Sequence, residues 1–137
     1  MEIRLLRETD SGRIAEIQAS SPEASQWNSS DYLGFETWVA EQDGDVIGFL
    51  SIRETGGGEA EVLNMAVDPG SRRLGVARSL LNRALEGRFQ EVYLEVRESN
   101  GAALRLYESM GFRRAGVRPK YYERPKEAGI VMKRQKW

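Results

Sequence analysis

Apolar residues recur along the chain first at every second position and then at every third or fourth, and the two periods alternate nearly from end to end. Glu2 to Leu6 predicts a first strand. Thr9 or Asp10 can cap a helix whose Ile14 and Ile17 share a face, ending before Ser20, Ser21 and Pro22. Ser29 to Leu33 predicts a short helix. In TWVAEQDGDVIGFLSIR, Asp43-Gly44 separates two β-rich runs, the strongest short-range signal for a tight hairpin, giving strands two and three. Gly56-Gly57-Gly58 turns into EAEVLNMAV, strand four, which Asp68-Pro69-Gly70 stops. From Arg72 onward Leu74, Ala77, Leu81, Ala84 and Leu85 fall on one helical face, predicting a helix to Glu86. Glu91 to Val96 predicts strand five, and Asn100 to Met110 a last helix with Ser99 or Asn100 as cap and Gly111 as terminator. Strands near Phe112 to Arg118 and Gly129 to Lys133 close the chain.

Strand, helix and strand in the order 59–96 form a right-handed crossover with strands four and five parallel. The expected class is therefore α/β (α+β): a mixed central sheet of about seven strands, helices on both faces, and one parallel crossover. At 137 residues the chain has the size of one domain, so residues 1–137 are expected to share one core. No apolar run approaches the roughly 20 residues that span a bilayer, and MEIRLLRETD lacks the apolar centre of a signal peptide, so the expected compartment is the cytoplasm.

Composition restricts the chemistry more than the fold. The chain contains no cysteine and no histidine, which removes disulfides, thiolate nucleophiles, Cys-based zinc sites and both Ser-His-Asp and Cys-His triads. Carboxylates, Tyr, Lys and Ser are left to move protons. The net charge of -1 hides an asymmetry: residues 1–68 hold 4 Lys/Arg against 14 Asp/Glu, and residues 69–137 hold 16 against 7. Two readings stay open, a C-terminal half that holds a polyanion while the N-terminal half meets a basic partner, or two halves that attract each other.

The segment Asp68 to Ala77, DPGSRRLGVA, joins a parallel strand to a helix. Its glycines let backbone approach a ligand, and amides at a helix start favour a phosphate. The same residues also suit a plain cap with a small-residue packing face. They lack the Lys-Ser/Thr pair of a Walker loop.

The run Arg72-Arg73-Leu74-Gly75-Val76-Ala77 resembles the Arg/Gln-x-x-Gly-x-Gly/Ala signature of the GNAT acetyltransferases, with Ala77 at the alternative small position. The resemblance implies that these amides cradle the coenzyme A pyrophosphate, that the strand Asn64 to Pro69 pairs with the pantetheine arm, and that Met65, Ala66 and Val67 line it, with Met65 and Val67 flanking the thioester. Tyr93 to Asn100 and Leu106 to Phe112, with Trp27 and Tyr121-Tyr122, are similar to the bacterial ribosomal-protein-alanine N-acetyltransferases, the RimI type. The similarity is close over residues 60–122 and loose elsewhere.

Acetylating an amine needs a neutral amine, a base for its proton and an acid for the departing sulfur. Glu95 lies in the apolar strand Val92 to Val96, where it is either a general base or a strand carboxylate paired with Arg97 or a neighbouring strand. Tyr107 is either an acid donating to the thiolate or a core tyrosine with a satisfied hydroxyl. The resemblance assigns Glu95 as base, acting through water, Tyr107 as acid, and Asn100 as a coenzyme contact. It makes strand-four amides near Val67 the donors to the oxyanion.

An α-amine with a pKa near 8 is roughly a quarter neutral at cytoplasmic pH, whereas lysine is roughly a thousandth neutral, so a remote base suits an N-terminus. The resemblance also implies that Tyr121 and Tyr122 clamp the peptide backbone; their other reading is an aromatic sheet edge. The flap from Pro22 to Trp27 would meet a basic N-terminal peptide such as that of a ribosomal protein, with Glu23 and Asp31 as contacts. Where the RimI type usually reads Glu-Asp-Ala before the last strand, this chain reads Glu127-Ala128-Gly129, losing an acidic contact. The expectation is an acetyl-CoA-dependent enzyme with no metal, acting as a monomer or weak dimer, without nucleic acid or membrane. The competing readings are a GNAT enzyme for a small amine or protein lysine, a non-catalytic acyl-CoA sensor, and an RNA-binding module.

Overall fold

Period-two patterns become strands and period-three-to-four patterns become helices in the expected order. The computed structural model describes residues 1–137 apart from 23, 25, 73, 74, 124, 125, 136 and 137, and at 29, 30, 120–123 and 126 it describes the backbone alone. The strands are β1 (Glu2–Leu5), β2 (Glu36–Gln42), β3 (Asp45–Gly56), β4 (Glu59–Val67), β5 (Glu91–Arg97), β6 (Arg113–Glu123) and β7 (Lys126–Gln135). The α-helices are α1 (Ser11–Ala19), α2 (Val76–Leu85) and α3 (Gly101–Ser109), with 3-10 turns at Glu8–Asp10, Ser29–Gly34 and Pro69–Ser71. Hydrogen-bonded neighbours run β1-β2-β3-β4-β5-β7-β6. β4 and β5 pair in parallel from Glu59 opposite Glu91 to Glu61 opposite Tyr93, while β5–β7 and β6–β7 are antiparallel, so the sheet is mixed.

Three details correct the sequence reading. The helix expected from Arg72 begins only at Val76, because Gly75 takes a left-handed φ of 73° as its N-cap. Its buried stripe is Val76, Leu80, Leu81, Ala84 and Leu85, and Ala77 is only half-buried. Asp10 precedes α1, but its carboxylate turns away from the helix to accept from Arg4 and from the Arg7 amide. The expected strands at 112–118 and 129–133 are longer, and the Lys120-Tyr121-Tyr122 backbone lies inside β6. The hairpin forms as predicted: Asp43 and Gly44 both take positive φ, 52° and 84°, the signature of a tight twisted turn.

Two compact units divide the chain, Met1–Arg53 with Leu63–Glu86, and Glu54–Val62 with Gly87–Trp137. In the first, Ile14 and Ile17 of α1 pack with Tyr32, Val39, Val46, Phe49 and Ala66, and Leu6, Ala24 and Trp27 lie against this cluster. A ladder of rings, Trp27 to Tyr32 at 4.9 Å and Tyr32 to Phe49 at 4.9 Å, carries it from loop to strand. In the second, β5 alternates strictly: Val92, Leu94 and Val96 are buried, while Glu91, Tyr93, Glu95 and Arg97 share the half-buried face. α3 ends in a Schellman motif. Gly111 at φ 91° donates to Glu108 O, Phe112 donates to Tyr107 O, and the rings of Tyr107 and Phe112 meet at 5.7 Å.

The N-terminal strand is locked by an ion pair. Arg4 Nη1 and Nη2 reach Asp10 at 2.8 and 3.1 Å, and Arg4 Nε reaches Glu41 at 2.7 Å. The Arg4 guanidinium holds the Asp10 carboxyl below the ordinary carboxylate range, against the opposing effect of burial and with help from the Arg7 amide. The unfolded chain therefore binds this proton more readily. Its contribution to stability is full above the unfolded value, about pH 4, and is lost as pH falls through the folded value. Asp10→Asn is predicted to lower stability at pH 7 by about 1–3 kcal/mol and to flatten the acid limb of a urea-denaturation series. Parallel pH curves for the two proteins would contradict the assignment.

Candidate active site

The site residues expected from sequence fall into two groups, one in each unit. Trp27, Met65, Ala66, Val67, Arg72, Gly75, Val76 and Ala77 belong to the first, whereas Glu95, Asn100 and Tyr107 belong to the second with the backbone of Tyr121 and Tyr122. Arg73, Leu74 and Glu23 lie outside the described residues, as do the Tyr121 and Tyr122 side chains.

In the first group, β4 buries Asn64 and Ala66 and leaves Met65 and Val67 half-buried on its other face. Asn64 is the polar exception on the buried side, and its satisfaction organises the unit. Its Nδ2 donates to the Tyr32 hydroxyl at 2.9 Å, that hydroxyl donates to Gln18 Oε1, and Gln18 Nε2 donates to the Trp27 carbonyl at 2.6 Å. Burial pushes the Tyr32 phenol well up, partly offset by Asn64, so it stays a neutral donor. This hydrogen-bonded chain runs from the strand expected to carry the coenzyme arm to the flap residue expected to meet the substrate. The Trp27 ring itself packs on Tyr32 and, at 5.5 Å, on Phe35.

After β4 the Asp68 amide donates to Ile47 O at 2.8 Å, and its carboxylate accepts from Gly70 N and from Arg13 Nη2, both at 3.2 Å. Arg13 Nε also reaches Val46 O at 2.9 Å, so one guanidinium fastens α1 to both β3 and the turn. Arg72 folds back, with Nε 3.4 Å from Val67 O and Nη2 3.3 Å from the buried Ser21 hydroxyl. Close packing fixes the start of α2. A Cβ on Gly48 would stand 3.0 Å from Val76 Cγ1 and 3.3 Å from Ala66 O.

These residues fit a phosphate-bearing coenzyme. Gly75 has open space where a side chain would project, its carbonyl is the first helix acceptor, for Ser79 N, and the amides just after it precede any intrahelical acceptor. Residues 69–85 contain Arg72, Arg73, Arg78 and Arg83 and no Asp or Glu.

In the second group, every charged side chain on the half-buried face of β5 is paired. Glu91 accepts from Lys133 at 2.8 Å and from the Tyr93 hydroxyl, which also reaches Glu59 at 3.1 Å. Lys133 and Tyr93 hold the Glu91 carboxyl below its usual range, and the Glu91 bond pushes the Tyr93 phenol up. Arg97 Nη1 meets Glu127 at 3.2 Å, and Ser99 Oγ meets the same oxygen at 3.1 Å. Burial pushes the Glu127 carboxyl up, and Ser99 and Arg97 more than offset it.

Glu95 differs from its neighbours. Its Oε1 accepts from Arg118 Nη1 at 2.6 Å, whereas Oε2 is buried with no hydrogen-bond partner among the described residues. The pairing is with neither Arg97 nor the adjacent strand, but with β6 beyond β7. Tyr107 is buried on α3. Asn100 is the N-cap of α3, with Oδ1 accepting from Ala103 N at 3.2 Å.

Sequence reasoning missed Gln18, Tyr32, Asn64 and Arg118. A polar Asn at a buried position of an alternating strand was the available signal for the first three. Arg118 left none, since its partner is set by strand order.

Residues 4–112 match the Acetyltransferase (GNAT) family, and the chain belongs to it. It is 37% identical over 107 residues to the [ribosomal protein bS18]-alanine N-acetyltransferase of Escherichia coli, covering 74% of this chain and 70% of that one. It is 42% identical over 87 residues to the N-alpha-acetyltransferase RimI of Mycobacterium tuberculosis, covering 61% of this chain and 55% of the relative, so the matched part spans about half of that protein. The solved ribosomal-protein-S18-alanine N-acetyltransferase of Escherichia coli superposes with a TM-score of 0.84 at 29% identity, over 98% of this chain and 92% of that one. Among the described residues no helix is long and apolar enough to cross a membrane.

The Asn64–Tyr32–Gln18 chain makes a direct prediction. Tyr32→Phe keeps the ring ladder but removes the hydroxyl that accepts from Asn64 Nδ2 and donates to Gln18 Oε1, and is expected to cost about 1–3 kcal/mol in chemical denaturation. A loss below a few tenths of that range would mean that the hydroxyl is not structural.

Proposed function

We propose that the chain is a cytoplasmic acetyl-CoA-dependent enzyme that acetylates the N-terminal α-amine of a protein, in the first instance a ribosomal protein. The observation that carries this reading is the 37% identity, over 74% of the chain, to an enzyme named as a [ribosomal protein bS18]-alanine N-acetyltransferase. Membership of the GNAT family supplies the reaction class.

In this reading the amides of Gly75, Val76 and Ala77, with Arg72, Arg73 and Leu74, hold the coenzyme phosphates, and Met65, Ala66 and Val67 line the pantetheine arm. Acetyl-CoA supplies an activated acetyl thioester. Glu95 takes a proton from the attacking amine through its buried Oε2, directly or by way of water, as the nitrogen bonds to the acetyl carbon and the carbon–sulfur bond breaks. Tyr107 returns a proton to the sulfur. The products are an acetylated amine and a free thiol, so protons balance once base and acid exchange through solvent. Asn100, by capping α3, sets the direction of the helix that carries Tyr107. Trp27, Tyr121 and Tyr122 receive the peptide.

Glu95 suits this role because the chain holds no His or Cys to compete for it, and because its free oxygen is kept out of bulk water. Purified protein with acetyl-CoA is expected to acetylate Ala-starting basic peptides at the α-amine, as located by fragment mass spectrometry, and to leave lysine side chains and polyamines nearly untouched. Glu95→Gln is expected to reduce turnover about 10²-fold or more while retaining coenzyme binding. Acetyl found mainly on lysine or polyamine would overturn the acceptor assignment, and full turnover by Glu95→Gln would remove the base.

A further inference from the structure

We infer that Arg118 is a positioning residue for the base: it grips Glu95 by Oε1 so that Oε2 alone is presented to the acceptor amine. The inference rests on the reading of Glu95 as base.

The path of the guanidinium is unusual. Arg118 is on β6 and Glu95 on β5, with β7 between them. In the register Val131 of β7 stands opposite Glu95, and Gly129 stands opposite both Arg97 and Arg118. Gly129 has no side chain, so the β7 position directly beside Arg118 offers no side chain to obstruct it. The last hairpin, Glu127-Ala128-Gly129, thus places a glycine beside this crossing.

Energetics argue against a purely structural purpose. The Arg118 side chain is 53% exposed, and an ion pair with one partner in water stabilises a fold little. Meanwhile the arrangement keeps a carboxylate oxygen buried and unpartnered among the described residues, which costs stability. The other carboxylates on this face show the alternative: Glu91 and Glu127 are each held by two side-chain donors. Glu95 is instead gripped on one oxygen, by a short charge-assisted bond from Arg118. Such a grip restrains the rotation of the carboxylate and leaves the second oxygen's lone pairs for chemistry. Arg118 is assigned no contact with the reacting atoms in this scheme and acts on the reaction through Glu95.

The test is steady-state kinetics of Arg118→Ala, Arg118→Lys and Glu95→Gln, with the double variant Glu95→Gln/Arg118→Ala. Arg118→Ala is expected to lower kcat about 10-fold with the KM for acetyl-CoA and the melting temperature unchanged. Arg118→Lys, which keeps the charge, is expected to recover most of the loss. In the Glu95→Gln background Arg118→Ala should have no further effect. Wild-type turnover by Arg118→Ala, an equal loss in the Glu95→Gln background, or a loss confined to KM would each overturn the inference. If Glu95→Gln loses turnover and Arg118→Ala does not, only the positioning role falls. If Glu95→Gln keeps turnover, the base assignment falls and this inference with it.

Discussion

The Tyr32 hydroxyl, buried among Phe49, Trp27 and the α1 isoleucines, has two obligations at once: it must accept from Asn64 and donate to Gln18. Asn64 sits one residue before Met65 on the strand expected to carry the coenzyme arm, and Gln18 ends on the backbone of the flap at Trp27. Strand and flap are therefore fixed by one satisfied polar chain inside an apolar core, where an unpaired member would be strongly destabilising. The residues after β4 inherit that placement. The Asp68 turn, pinned by Arg13 and Ile47, and the start of α2, seated on Gly48, set the amides after Gly75 in one orientation.

A second constraint is chemical. A protein without His or Cys has to move protons with carboxylates, phenols, amines or hydroxyls, whose ordinary pKa values lie far from neutrality. On the half-buried face of β5 the fold neutralises each neighbouring charge, so that Glu91, Tyr93, Arg97 and Glu127 are committed to one another and to Lys133. Among the described residues, Glu95 is the member left with an oxygen to spare. The contrast within one strand sets the carboxylate proposed as base apart from its paired neighbours more sharply than burial alone.

Much of the fold was legible in sequence. The Asp43-Gly44 turn, the alternation of EAEVLNMAV and the Gly111 stop each have a local physical cause, and each forms as read. Errors came where a local pattern met a backbone exception: the helical spacing from Leu74 onward looked continuous, but a left-handed Gly75 breaks it before Val76. For the site, the contiguous signature from Arg72 to Ala77 predicts a tight turn into a helix, and Gly75 does stand at the start of α2. The Arg118 grip on Glu95 and the Tyr32 chain were not legible, because they join residues 23 and 32 positions apart whose meeting depends on strand order and packing. Asp10 illustrates the same limit, since its capping chemistry is overridden by Arg4.

An N-terminal acetyltransferase is defined by its acceptor, so the decisive measurement is on the acceptor in its own cell. Intact mass spectrometry of ribosomal proteins from cells with and without this gene should show one of them lighter by a single acetyl group when the gene is absent, with the change mapping to its N-terminal residue. Unchanged masses for every ribosomal protein, or an acetyl group lost from a lysine instead, would contradict the account.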